Sequence, residues 1–137
     1  MGIEITDRQT DVKVDHTRLK EVVGETLRNA GCTQSISVAL VTAAEITELN
    51  RIYRKRDAVT DVLAFPMDDD LLGDVVICPA RAEEETAARS HGVMDEVLLY
   101  AVHGTLHLLG YDDDEENAEE MYAKENEILK RFGVRSD

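Results

Sequence analysis

Between Val97 and Leu109 the chain is aliphatic almost without interruption, and its polar exceptions include two histidines, His103 and His107. A helix that is apolar around its whole circumference has no face to offer water, so the rest of the chain must be built around it. Positions four apart on a helix lie about one turn apart, which sends both imidazoles out from one face. Gly110 supplies a glycine stop for this helix. Beyond it the chain can fold back so that Asp113 approaches the histidines, giving a three-ligand metal site of His103, His107 and Asp113.

One histidine on an apolar helix is ordinarily satisfied by a hydrogen bond to a nearby carbonyl or carboxylate. Two of them need two such partners, each worth a few kcal/mol if missing, and a shared metal serves both at once. The pattern H-x-x-x-H-x-x-G-x-x-D reproduces the spacing of the extended zinc motif H-E-x-x-H-x-x-G-x-x-H. Gly104 stands where a zinc peptidase carries its general-base glutamate, so a metallopeptidase is a distant reading. Asp113 replaces the third histidine, and it has a competing role, because Asp113-Asp114-Glu115-Glu116 resembles the capping start of a last helix. Asp112 fits either role. If Asp113 binds, its charge makes the site harder, so that Mn2+ or Fe2+ is accommodated as well as Zn2+, and a non-haem iron enzyme is a further distant alternative.

The flanking sequence alternates strand and helix signals. Ile3 and Ile5, then Ile36, Val38 and Leu40, recur at every second position as in half-buried strands. Leu19, Val22, Val23 and Leu27 form a helical stripe capped by Asp15 and stopped by Gly31. Thr42-Ala43-Ala44-Glu45 reads as a capping box for a helix ending in Arg51, Arg54, Lys55 and Arg56. Asp61 to Phe65 and Asp74 to Cys78 read as a strand pair joined by Asp68-Asp69-Asp70, and Pro79 opens a helix ending near Gly92. The histidine helix starts at Met94 or Asp95, and a last helix runs from about Glu115 to Phe132. These signals predict an α+β fold, a small mixed sheet of about four strands against about five helices, with the metal site on the buried histidine helix.

At 137 residues the chain has the size of one domain, 1–137, and can hide roughly two thirds of its unfolded surface. The N-terminus has no signal-peptide pattern, no segment is long enough to span a membrane, and Cys32 and Cys78 lack disulfide spacing, which together suit a cytoplasmic protein. With 29 acidic against 15 basic residues the net charge is -14, which argues against a general nucleic-acid coat protein but not against a nuclease with one local basic patch.

Three blocks in order carry a resemblance to a known family. They are His103-Gly104-Thr105-Leu106-His107-Leu108-Leu109-Gly110-Tyr111-Asp112; Asn50-Arg51-Ile52-Tyr53-Arg54 with Asp57, Thr60, Asp61, Val62, Leu63 and Phe65; and Leu72-Gly73-Asp74-Val75-Val76-Ile77. They resemble the YbeY-type endoribonucleases, or ribosomal RNA maturation factors, whose motif H-x-x-x-H-L-x-G-Y-D-H differs from this chain at Asp113. The resemblance implies an α+β fold, one zinc ion held by three residues with a position left open, and processing of single-stranded or ribosomal RNA in association with the small ribosomal subunit. It also makes Arg54 the functionally important arginine, a permanent planar cation suited to phosphate, with Arg51, Lys55 and Arg56 as a local RNA-binding track. Each of those neighbours also suits an ordinary helix C-terminus, where the macrodipole favours cations. Asp61 and Asp74 are candidate bases or partners of the histidines. The alternative is a non-catalytic ribosome-associated factor that kept the fold and lost the site.

Overall fold

In the computed structural model the described residues are 2–54, 62–67, 70–87, 92–111 and 116–134, without the side chains of Tyr53 and Arg54. The period-two segments form β1 (Ile3–Asp7), β2 (Ser35–Leu40), β3 (Val62–Pro66) and β4 (Leu71–Ile77). The helical stripes form α1 (His16–Asn29), α2 (Ala43–Arg54), α3 (Pro79–Thr86), α4 (Val93–Leu108) and α5 (Ala118–Lys130). The sheet has the order β1-β2-β4-β3; the first three of these run parallel, and β3 pairs antiparallel with β4. This is the expected α+β arrangement of a mixed sheet and helices.

Alternation along the strands gives the sheet two different faces. Ile36, Val38 and Leu40 of β2 join Val75 and Ile77 of β4 on one face, which packs against α1 and α4. Leu63 and Val76 turn to the other face, where Ile46 of α2 closes a second, smaller core with Val41 and Cys78. Cys32 and Cys78 are free thiols. No helix among the described residues is long and apolar enough to cross a membrane.

The ends of the elements differ from the sequence pattern in instructive ways. Asp15 caps α1 as expected, accepting from the Arg18 amide at 3.2 Å. Thr42 accepts from the Glu45 amide at 3.1 Å, the first half of a capping box, but the Glu45 carboxylate is engaged by the guanidinium of Arg8 at 2.7 Å. An ion pair to a distant segment thus uses the group that a local box would use. Helix α3 ends at Thr86 rather than near Gly92, which instead occupies the N-cap position of α4. Helix α5 begins at Ala118 with Asn117 before it, later than the acidic run suggested.

The loop after β1 is pinned by a small polar network. Gln9 is buried; it donates to Asp7 and to the Val12 carbonyl, each at 2.8 Å, and accepts from the Val12 amide at 3.0 Å. His16 lies 3.0 Å from the other oxygen of Asp7. Burial alone raises the pKa of Asp7, but the hydrogen bonds from His16 and Gln9 outweigh it and hold the carboxyl below the usual carboxylate range. A depressed folded-state pKa means stability that is present above the ordinary carboxylate range and is lost as the pH falls through the folded value. Asp7→Asn should therefore destabilise the fold by about 1 kcal/mol at pH 7, with a difference from wild type that shrinks on acidification to pH 3. Urea unfolding at the two pH values measures this, and a difference that stays constant with pH contradicts it.

Candidate active site

Helix α4 touches α1, α3, α5, β3 and β4, and from Glu96 to Leu106 every residue is buried except Leu99 and His103. His107 is again half-buried. Positions 99, 103 and 107 are successive steps of four, so they form a single strip along the helix. In the middle of this core helix, from Glu96 to Leu106, the strip that reaches the surface is the one that carries the histidines.

His103 is held from behind. Its Nδ1 lies 2.5 Å from Oε1 of Glu125 on α5, and the His103 side chain is 33% exposed against 9% for Glu125. A carboxylate in this position is matched by an imidazole that donates through Nδ1–H. The order from inside outward is carboxylate, imidazole, surface. Sequence analysis missed Glu125, although a signal was present: Met121, Ile128 and Leu129 are the buried stripe of α5, and Glu125 is the charged residue in the middle of it. A buried carboxylate in an apolar stripe needs a partner close by.

Two glycines give α4 its position. A Cβ built on Gly104 would come within 2.7 Å of a Val75 methyl and 3.2 Å of a Val62 methyl. The helix therefore lies directly on β3 and β4 at the residue between the histidines. A glutamate in the peptidase position would be driven into the core, so Gly104 removes the peptidase base for a packing reason. Gly110 has φ 104, its amide donates to the His107 carbonyl at 3.1 Å, and the Tyr111 amide donates to the Leu106 carbonyl at 3.0 Å. That pair of bonds is a Schellman stop, which turns the chain away just beyond His107 as the sequence indicated.

The remaining sequence candidates are distributed unevenly. Arg51 is exposed and its Nε donates to Glu48 at 3.1 Å, a hydrogen bond that holds the Glu48 carboxyl below its usual range. This pairing along the helix is the ordinary surface role. Arg54 is the last residue of α2, and its side chain, together with Lys55, Arg56, Asp61, Asp112 and Asp113, lies outside the described residues. Asp74 is flanked by Val75, whose side chain meets Gly104, so Asp74 points to the opposite face of the sheet and is no partner of the histidines. Glu125 holds that place at His103. Among the described residues no group of three histidine, cysteine, aspartate or glutamate side chains converges on a metal position; the histidines provide two donors, and Asp112 and Asp113 follow in the segment after Tyr111.

The fold and site define a class: an α+β protein with a central helix that presents two imidazoles along a strip that reaches the surface. The chain belongs to the Endoribonuclease YbeY family, a family of RNA-cleaving enzymes, whose family model matches residues 4–133. A protein named Endoribonuclease YbeY from Carboxydothermus hydrogenoformans is 43% identical over 139 residues, covering 96% of this chain and 97% of its own length. Its namesake from Finegoldia magna is 38% identical, covering 100% and 97%. A Thermotoga maritima protein with a solution structure superposes with a TM-score of 0.71 at 32% identity, over 93% of this chain and 87% of that one. The family identity anticipated from the three sequence blocks is thus established, and with it the α+β fold.

Packing at Gly104 gives a sign test. In an open helix Gly→Ala stabilises by about 1 kcal/mol through backbone entropy. Against the stiff Val75 side chain the added methyl should instead cost about 1–3 kcal/mol. Denaturant unfolding of Gly104→Ala should show a net loss; a gain in stability contradicts the close approach of α4 to the sheet.

Proposed function

We propose that this member of the family cleaves single-stranded RNA in ribosomal RNA maturation, using one divalent metal ion bound by His103, His107 and Asp113. The observation that carries the reading is the surface strip of α4, where two imidazoles one turn apart emerge from a helix whose middle is largely buried and one of them is braced by Glu125. Two imidazole donors suit Zn2+, and a carboxylate as third ligand also admits Mn2+ or Fe2+. The start of α5 at Ala118 supports Asp113 as a ligand, because the N-cap position falls on Asn117 and not on the acidic run. When bound, such a metal supplies Lewis-acid polarisation of a phosphoryl oxygen and lowers the pKa of a water molecule.

The chain's own residues provide the rest. Arg54 binds the phosphate and the charge that grows on it during cleavage, as a guanidinium does with two parallel donors. Lys55 and Arg56 extend the cationic track, and the pairing of Arg51 with Glu48 makes Arg51 the weakest member of it. With a net charge of -14, RNA is held at this patch and repelled elsewhere. The work is done in the cytoplasm on the small ribosomal subunit, by one domain built on the single sheet.

The test compares cleavage of a single-stranded RNA by wild type, Arg54→Ala and His103→Ala, with metal content measured on the same preparations. Arg54→Ala should lose about 100-fold or more in rate with its metal retained. His103→Ala should lose both activity and metal. Equal rates in all three, or a wild type without stoichiometric transition metal, overturn the proposal.

A further inference from the structure

We propose that Glu125 is a positioning residue: by accepting the Nδ1–H of His103 it fixes that ring and makes Nε2 the atom that binds metal. The inference rests on the metal-site reading above and goes beyond it by assigning a role to a residue on a different helix, outside every motif block. Three observations carry it. Nδ1 of His103 lies within hydrogen-bond distance of the Glu125 carboxylate. The carboxylate is the more buried partner and the imidazole the more exposed one, so the imidazole stands between the carboxylate and the surface. Glu125 also sits centrally in the stripe of Met121, Ile128 and Leu129, which anchors α5 in the core, so its carboxylate has little freedom to move.

The chemistry follows from the two ring nitrogens. A neutral imidazole carries one N–H and one lone pair, and whichever nitrogen donates leaves the other as the ligand atom. A carboxylate at Nδ1 selects the tautomer with Nε2 as donor atom, locks the ring plane, and makes that nitrogen a better base. A purely structural role would need only that Glu125 be satisfied, and the tautomer of His103 would then have no bearing on metal affinity.

The test uses the full chain stripped of metal, then titrated with Zn2+ against a chromophoric chelator, for wild type, Glu125→Gln and Glu125→Ala, with folding checked by circular dichroism. Glu125→Ala should weaken zinc binding about 10–100-fold, and Glu125→Gln, which keeps an accepting oxygen but no charge, by less than about tenfold. The metal-free wild type gives an independent readout that needs no variant to fold: long-range proton–nitrogen NMR correlations should show His103 protonated on Nδ1. Zinc affinity in a folded Glu125→Ala equal to that of wild type, or a His103 protonated on Nε2 in the wild type, overturns the role of Glu125 while leaving the metal site in place. A wild type that binds no zinc removes the metal-site reading itself, and the positioning role with it.

Discussion

The contact on which the rest of the structure depends is the approach of α4 to the sheet at Gly104. Because no side chain intervenes there, the helix axis comes down onto Val62 and Val75, and between Glu96 and Leu106 most of the circumference of α4 is enclosed by α1, α3, α5 and the two strands. Enclosure leaves one strip, and the 3.6-residue period decides which residues occupy it. Had the sequence placed the histidines three residues apart instead of four, one of them would have rotated into the packed interior.

The same geometry explains why this site is not a peptidase site with one residue changed. In a zinc peptidase helix the residue after the first histidine must reach the metal-bound region. Here that residue faces the sheet, and the packing that excludes a side chain is also what fixes the direction of both imidazoles. Stability and chemistry therefore share one constraint. Glu125 adds the complementary support from the other side, so that His103 is set by the sheet through its backbone and by α5 through its ring.

Much of this was legible in the sequence because the signals were periodic. The two-residue alternation in β2, the stripe of α1, the unbroken apolar run of α4 and the glycine stop at Gly110 all correspond to what the fold contains. What escaped was non-local. Glu45 reads as half of a capping box, and only the fold brings Arg8 to it. Asp74 reads as a plausible partner for the histidines until the pairing of β4 with β2 turns it to the other face. Glu125 is one of several acids on an acidic helix, and its significance lies in its phase relative to Met121 and Ile128, a phase that means something only once α5 is docked on α4. Gly104 was visible as an absence of the catalytic glutamate, yet its cause, two valine methyls on neighbouring strands, belongs to the tertiary structure.

The metal site proposed for the surface strip of α4 binds through Nε2 of His103. Crystals of the protein purified without added metal, with diffraction recorded on both sides of the zinc, manganese and iron absorption edges, test it most directly. The account predicts one anomalous peak about 2.0–2.1 Å from a nitrogen of each histidine, that nitrogen being Nε2 in His103, and about 2.0–2.2 Å from a carboxylate oxygen of Asp113. No peak on this strip, or a metal bound through Nδ1 of His103 with Glu125 displaced, contradicts it.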